Sequence, residues 1–384
     1  MINKLKIGFL APYSSIYPYY GLHLTAGFYC GLGQDPMRSN VQVINEYAGG
    51  GKASEFNHGV KKLLQFDHVD ILSGMVGYKV IRDALKMLDR REGMGFFHDL
   101  GEMFPLFDQP LENIFFNSHQ LYQSEYALGH WAHKTFGSKG IILMPIYNSG
   151  FHLHRAFEFG AGDAGAKEIV RSVIPYKPDN PHHLDIDYAF DQIHKYNPAF
   201  VHAMFVGPQG NEFLAKWSDH QWTKSIPLLV AENMIYSDMI QDVANLNLEL
   251  YSAISWNERS ETVENRHFVK RFRQVTGQPP NIYALLGYES GLFFKEVLRH
   301  MMKRDWDTVK TLLRTEKIRG PRGERKLLTN HPTDDLSIDI VKYNSFHGDL
   351  LTLDLGSAMS PTNANLSQNV TVDSSGWTNP YLCI

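Results

Sequence analysis

The sequence predicts an α/β protein built from two doubly wound parallel sheets, each with helices on both faces. Short apolar runs alternate with amphipathic stretches, and this alternation begins a second time near residue 140. A chain of 384 residues is also too long for one ordinary core. With 43% hydrophobic and 20% charged residues, its composition is that of a globular protein. We therefore expect two lobes.

The first series contains five short apolar runs, which predict strands at residues 6–10, 41–47, 70–74, 94–98 and 113–116. Two amphipathic helical stripes separate some of these strands. One consists of Phe56, Val60, Leu63 and Leu64, and the other of Val80, Ile81, Ala84, Leu85 and Leu88. Strand and helix in this order predict a doubly wound sheet.

The second series repeats this order without visible sequence identity to the first. Its predicted strands are residues 140–144, 168–174, 200–206 and 228–231, and its predicted helices are residues 121–136, 153–159, 186–196 and 213–217. A strand at 251–256, long helices at 263–276 and 282–303, and strands at 338–343 and 350–355 complete the pattern. A Ser/Asn/Thr-rich tail then ends the chain as a peripheral segment.

Charge and cysteine content exclude several classes of protein. The formal charge is −4 and no block of Lys or Arg is present, so we expect no nucleic-acid partner. Cys30 and Cys383 are the only cysteines, which excludes a disulfide framework, and we interpret both as free thiols.

The sequence contains no run of about 18 apolar residues, so it predicts no segment that spans a membrane. Apolar strand character begins at Lys6, leaving no room for an export signal, so the protein is cytosolic or its signal has been removed.

Two patterns that suggest catalysis or metal binding have the wrong context. Residues 160–165 fit the GxGxxG dinucleotide pattern, yet they end a helical stretch and lead into a strand, so we interpret them as a helix stop. The 18 histidines include His152 and His154 but no HExxH or Cys-paired cluster. We interpret them as scattered surface or loop residues and expect no metal, no cofactor and no catalytic residue.

Four segments carry a family resemblance through their order. They are residues 6–12 (KIGFLAP), 69–74 (VDILSG), 265–288 and 320–323 (GPRG). The most specific is 265–288, where a Gly-Gln-Pro-Pro turn joins two helical stretches and continues into Tyr-Ala-Leu-Leu-Gly-Tyr. This order, over about residues 5–345, resembles the leucine/isoleucine/valine-type periplasmic binding proteins, the type I solute-binding proteins.

The resemblance implies two discontinuous lobes joined by a hinge of three chain crossings, the type I periplasmic binding protein fold. Lobe one would contain residues 1–118 and 254–325, and lobe two residues 119–253 and 326–384. The crossings would lie near residues 117–120, 252–256 and 325–328. Closure of the lobes would hold a small solute between them.

The resemblance also implies a function. The chain would be the non-catalytic substrate-binding component of an ABC-type importer, a monomer that delivers an amino acid, amide or small carboxylate to a membrane permease. Its location would be periplasmic or otherwise extracytoplasmic, with the signal peptide absent from this chain. One alternative is a cytoplasmic ligand sensor like the amide-responsive regulators of this family. Another is an enzyme with catalytic groups assembled in the cleft.

Ligand-binding candidates in lobe one follow strand ends, because ligands of doubly wound sheets bind there. Ser14, Ser15 and Tyr20 follow the first strand, where aromatic walls suit a small, partly apolar solute. Tyr78 and Lys79 follow the third strand, in place of the Ser/Thr-rich loop with which amino-acid binders hold a carboxylate. Lys79 pairs with an anionic ligand in one interpretation and is a solvated surface charge in the other.

Further candidates follow the fourth strand and two strands of lobe two. Asp99 and Glu102 suit a cationic or amide-bearing ligand, or cap the turn that follows. Tyr147 and Ser149 match the family's strand-to-helix loop. Glu232 falls where amino-acid binders place an acidic residue against the ligand's ammonium group. The lobe-one loops depart from the amino-acid-binding pattern, which makes branched aliphatic amino acids less favoured as ligands.

Overall fold

The structure is a computed structural model that describes residues 4–50, 52–77, 81, 93–101, 111–137, 139–145, 153–328, 336–345 and 347–354. Two large sheets organise it, and the predicted two-lobe α/β class is confirmed. The first sheet has the order β2-β1-β3-β4-β5 and is parallel throughout. Its strands are β1 (Leu5–Ala11), β2 (Val41–Tyr47), β3 (Ile71–Met75), β4 (Met94–Asp99) and β5 (Ile114–Ser118).

The second sheet has seven strands in the order β16-β15-β12-β11-β10-β6-β7. Its strands are β6 (Lys139–Pro145), β7 (Glu168–Ile174), β10 (Phe200–Ala203), β11 (Leu228–Val230), β12 (Glu249–Ile254), β15 (Asp339–Asn344) and β16 (Asp349–Asp354). Only the β12–β15 and β15–β16 pairings are antiparallel, so β15 alone runs opposite to the other strands of this sheet. Two small hairpins are separate: β8 (Tyr176–Lys177) with β9 (Asn180–Leu184), and β13 (Ile318–Gly320) with β14 (Gly323–Arg325).

Helices cover both sheets. The described helices are α1 (Tyr20–Leu32), α2 (Ala53–Gln65), α3 (Leu121–Phe136), α4 (Leu153–Asp163), α5 (Ile186–Tyr196), α6 (Gly207–Asp219), α7 (Ser237–Ile240), α8 (Val263–Thr276), α9 (Ile282–Met302) and α10 (Trp306–Thr315). We call the first sheet with α1, α2 and α8–α10 the first lobe, and the second sheet with α3–α7 the second lobe. None of these helices is both long and apolar enough to cross a bilayer. The predicted residue boundaries of the lobes stay a prediction.

Most predicted elements match these bounds to within two residues, and three differ by more. The helix predicted at 153–159 extends to Asp163. The strand predicted at 200–206 ends at Ala203, since residues 204–206 leave the sheet. The helix predicted at 213–217 begins earlier, at Gly207, with Pro208 in its first turn. Helix α10 was not predicted; the side chain of Asp305 accepts from the Thr308 N–H and caps its start. The predicted helical stripe of Val80 to Leu88 lies outside the described residues, except for Ile81. The predicted tail after residue 354 also lies outside them.

In each lobe, two helices touch along their backbones. Helix α1 lies against α9, and helix α3 lies against α4. The contacts are made by Gly27, Gly31, Gly287 and Gly291 in the first pair and by Gly129 and Gly160 in the second. A methyl group at any of these six positions would overlap a carbonyl oxygen of the facing helix. Only glycine therefore permits these helices to approach so closely.

The GxGxxG pattern is part of this contact. It spans the last turn of α4 and the loop before β7, so the context predicted from the sequence is confirmed. Gly165, with φ of 107°, has a backbone conformation that favours glycine after the helix. Gly160 is not a stop signal but a contact glycine inside α4, which corrects the interpretation of that residue.

Two alanine variants of α4 distinguish the loss of the backbone contact with α3 from the general effect of replacing a helical glycine by alanine. We expect Gly160→Ala to lower the free energy of unfolding by about 3 kcal/mol or more, because its methyl group would meet the Tyr126 carbonyl. Gly162 faces open space, so Gly162→Ala should raise stability by about 0.5–1 kcal/mol. Denaturant unfolding of both variants measures the difference. Equal effects of the two substitutions would contradict the assigned contact.

Candidate functional site

A narrow cavity lies where the carboxyl ends of the two sheets face each other. Its lining consists of Tyr17, Leu100, Leu121, Leu153, Met204, Phe205, Val206, Ala231, Asn233, Ile282 and Tyr283. Loops after β1, β4, β10 and β11 contribute, as do the first residues of α3, α4 and α9. The free volume is about 20 Å³, roughly the space of one water molecule. Both lobes therefore contribute to one site, and its described walls leave little free space.

The cavity wall is mainly apolar and aromatic. The ring of Tyr283 lies 5.4 Å from that of Tyr17 and 5.6 Å from that of Tyr20, centroid to centroid. Asn233 donates from Nδ2 to the carbonyl of Phe205 at 3.1 Å and so joins the two second-lobe loops. Such a wall suits a solute with an apolar body and few polar groups.

Glu232 lies beside the cavity and accepts hydrogen bonds from four other side chains. Its Oε1 accepts from Ser255 Oγ at 3.0 Å, from Ser255 N at 2.9 Å, from His119 Nε2 at 3.0 Å, and from the Tyr236 hydroxyl. Its Oε2 accepts from Ser124 Oγ at 2.5 Å. The carboxylate is 1% exposed. It therefore joins the segment after β5, the loop after β11 and the segment after β12.

The environment of Glu232 keeps it ionised. Burial acts to raise the pKa of this carboxyl, but the electrostatic interaction and hydrogen bond with His119, together with hydrogen bonds from Ser124 and Tyr236, lower it to about 2. A buried carboxylate persists only where its lone pairs are satisfied in this way. Glu232 is thus an ionic joint between the lobes.

A second buried ion pair lies next to this joint. Arg322, in the β13–β14 turn, donates from Nε to Glu289 Oε1 at 2.8 Å and from Nη2 to Oε2 at 2.5 Å. Both side chains are fully buried. The same guanidinium also donates to the carbonyls of Ser118 and His119, each at 3.3 Å. This bidentate pair fixes the segment after β5 against α9.

A third carboxyl, that of Asp238, lies at the boundary of the lobes. Asp238, in α7 of the second lobe, is partly buried near Tyr19 and Asn281 of the first lobe. Burial raises the pKa of Asp238 to about 6; the charge of Glu258 adds to this rise, and a hydrogen bond with Asn281 opposes it. Burial, with the charge of Asp238, raises the pKa of Tyr19 to about 12.

Comparison with known protein families matches residues 4–344 to the family described as periplasmic binding protein. The chain belongs to this family. The resemblance predicted from the sequence is thereby confirmed. Comparison with curated protein sequences gives no significant match.

Solved structures of periplasmic binding proteins share the fold. A solute-binding protein of an ABC transporter from Rhodopseudomonas palustris, in complex with benzoate, has a TM-score of 0.72 at 18% identity, covering 94% of this chain and 99% of that chain. A substrate-binding protein from Sphaerobacter thermophilus has a TM-score of 0.74 at 18% identity, covering 91% and 96%. A leucine binding protein from Thermotoga maritima has a TM-score of 0.69 at 13% identity, covering 91% and 98%.

Among the predicted ligand residues of this periplasmic binding protein, those after β1 are described and lie near the cavity. Ser14 Oγ accepts from the N–H of Tyr17 at 2.9 Å, which turns the loop and places the Tyr17 ring in the cavity wall. Tyr20 donates to the Pro12 carbonyl at 2.7 Å, and burial raises its pKa. Ser15 is exposed. Direct contact of these residues with a solute stays a prediction.

The remaining predicted residues divide between described and undescribed segments. Asp99 is 1% exposed at the end of β4, and its carbonyl accepts from the His119 N–H at 3.0 Å. The ligand role predicted for Glu232 also stays a prediction, although its side chain is not among those that line the cavity. Five predicted residues lie outside the described residues: Tyr78, Lys79, Glu102, Tyr147 and Ser149.

Sequence reasoning missed the residues that the fold brings together from distant segments. Tyr283 and Ile282 begin α9 yet line the cavity beside Tyr17. His119 and Arg322 were not candidates: His119 stands in no motif, and Arg322 lies in the 320–323 segment (GPRG), which was interpreted only as a turn before the late strands. The predicted crossings at residues 117–120 and 252–256 were the available signal, since buried polar residues concentrate there.

The interpretation of the histidines as surface or loop residues is wrong for three of them: His98, His154 and His202 lie in strands or a helix and are at most 5% exposed. His119 lies in a loop, as predicted, but is fully buried. Buried polar groups need hydrogen-bond partners, and these rings have them: His98 Nε2 lies 2.8 Å from Ser290 Oγ, and His202 Nε2 lies 2.6 Å from Glu125 Oε2. Within the described ranges, no group of three or more His, Cys, Asp or Glu side chains is arranged to hold a metal ion.

Glu232→Gln should lower the free energy of unfolding by about 2 kcal/mol or more at neutral pH, because it removes the ionised acceptor of a buried network. The folded-state pKa of about 2 lies below the ordinary 4.5. The carboxylate therefore contributes stability above pH 4.5 that is lost as the pH falls toward 2. Urea unfolding across this range should show the gap between wild type and variant closing. A gap independent of pH would contradict the proposed ionised state, and Glu212→Gln, on the exposed face of α6, serves as the control.

Asp238 should have the opposite pH dependence. Its pKa of about 6 lies above the ordinary 3.8, so its favourable contribution is present below pH 3.8 and is lost as the pH rises through 6. We expect Asp238→Asn to be more stable than wild type at about pH 7.5, and the difference to shrink at about pH 5. Thermal unfolding at both pH values measures this. A variant less stable than wild type at the higher pH would refute the assignment.

Proposed function

We propose that this periplasmic binding protein is the solute-binding component of an ABC-type importer, located outside the cytoplasm and working with a membrane permease. The observation that carries the proposal is the cavity formed jointly by loops of both sheets. The family match over residues 4–344 supports it. The solute is bound when the lobes close and is released unchanged when they open.

We further propose that the solute has an aromatic or aliphatic body and a carboxylate. The wall contributed by Tyr17, Leu100, Leu153, Phe205 and Tyr283 supports the apolar body. Related solute-binding proteins bind benzoate, 3,4-dihydroxybenzoic acid and 4-hydroxybenzoate, which is consistent with a small aromatic carboxylate. Lys79, predicted from the sequence, is the cation that we assign to the carboxylate.

A thermal-shift screen tests this proposal with benzoate, hydroxybenzoates, leucine, amides and aliphatic carboxylates. A ligand present at a hundred times its dissociation constant adds about 2.7 kcal/mol of stability. We expect the aromatic carboxylates to give the largest shift and to be recovered unchanged. A shift from amino acids alone that disappears in Glu232→Gln would instead support the ammonium role of Glu232. A ligand that is chemically converted would support an enzyme.

Two tyrosines in one loop provide matched variants. Tyr17 lines the cavity and is 5% exposed, whereas Tyr13 is 46% exposed and is not part of the cavity wall. We expect Tyr17→Ala to weaken binding of the best ligand at least about tenfold, or 1.4 kcal/mol, through lost ring contact. Tyr13→Ala should leave the affinity unchanged. Isothermal titration measures both, and equal affinities would place the solute elsewhere.

A further inference from the structure

A wide groove crosses the first lobe at the far end of α1 from the cavity. It lies between the end of α1, one face of α8 and the second half of α9, with a volume of about 940 Å³. Helix α1 begins at Tyr20 beside the cavity, and Cys30 in the groove lies ten residues further on. At 1.5 Å per residue, the two ends are about 15 Å apart. The groove is therefore separate from the solute site. We call it the basic groove, after the cationic side chains that line it.

The walls of the basic groove carry an excess of positive charge. Five cationic side chains line it, Arg266, Lys270, Arg271, Lys295 and Arg319, against one carboxylate, Glu264. This concentration occurs in a chain whose formal charge is −4. The charge of the groove is thus opposite to that of the molecule as a whole, and it attracts anionic partners.

Most of this charge is not neutralised by the protein itself. Arg319 pairs with Glu264 at 2.9 Å, and Arg266 pairs with Glu261 at 3.6 Å. In the part of the chain that the structure describes, Lys270, Arg271 and Lys295 form no ion pair with a carboxylate. Lys270 and Lys295 are exposed. These cations are available to a partner.

The floor of the basic groove is apolar. Tyr288 and Cys30 are 5% and 7% exposed, and Leu292 is partly buried. Gly31, one of the glycines of the α1–α9 contact, also lines the groove. A ligand that fills this shape has apolar groups toward the floor and negative charges toward the walls.

We propose that the basic groove docks an acidic, amphipathic segment of a protein partner, with its carboxylates on Lys270, Arg271 and Lys295. The concave shape favours a protruding polypeptide over a membrane surface, which meets a protein over a broad face. The proposal is independent of the identity of the solute. It adds a protein-contact surface to the first lobe, away from the cavity.

The test uses the full chain and a fluorescent amphipathic peptide of about sixteen residues, rich in Glu and Leu, long enough to form a helix. Fluorescence anisotropy measures binding, with a peptide in which Lys replaces Glu as the probe control. The variant is Lys270→Glu with Lys295→Glu. Lys61→Glu with Lys224→Glu changes the net charge equally at exposed positions outside the groove.

We expect the acidic peptide to bind the wild-type protein and the Lys61/Lys224 variant equally, and the groove variant at least tenfold more weakly. The solute-induced thermal shift should be unchanged in both variants, which separates this result from the function of the cavity. Equal weakening by both double variants would show an effect of net charge alone and overturn the proposal. Loss of binding to phosphatidylglycerol vesicles in the groove variant, with peptide binding retained, would also overturn it by assigning the groove to lipid.

Discussion

The backbone contact between helices, made possible by glycine, determines how each lobe is assembled. In both lobes, a helix that comes after a chain crossing lies against the helix that follows the first strand of the sheet: α9, the second helix after its crossing, lies on α1, and α3 lies on α4. Helix α9 enters the first lobe only after the chain has built most of the second sheet. Its contact through Gly287 and Gly291 therefore joins segments that are more than 250 residues apart. Without this close approach, the first sheet would lack its long covering helix.

The polar joint between the lobes depends on this placement. Once α9 is docked, Glu289 faces Arg322, and the guanidinium in turn reaches the carbonyls of Ser118 and His119. His119 then meets Glu232, whose other donors come from the second lobe and the segment after β12. Buried charges tolerate little displacement, because each lost partner leaves an unsatisfied group. The joint thus holds the segments after β5 and β12 in place beside a cavity whose wall is mainly apolar and aromatic.

Periodicity in the sequence predicted every strand of the two large sheets and most of the described helices, because regular elements are encoded locally; the two small hairpins, α7 and α10 were not predicted. The end of β10 was predicted too late, since Met204, Phe205 and Val206 are as apolar as a strand although they line a cavity. For the site, strand ends led to Glu232 and to the loop around Tyr20. The partners of these residues, His119 for Glu232 and Tyr283 for Tyr20, were not predictable, because they come from segments distant in sequence. A carboxylate alone does not reveal whether its donors are a solute or the protein.

The glycine contacts also bear on how such proteins diverge. A position such as Gly27, where two backbones touch, accepts no other side chain, whereas a cavity residue such as Leu153 is open to any group that fits a new solute. Substitution in relatives is therefore expected to accumulate in the cavity walls and on the surface while the helix contacts stay constant. The fold itself is shared with solved structures at only 13–18% identity. We expect the backbone contacts to be among the few positions at which such distant sequences still agree.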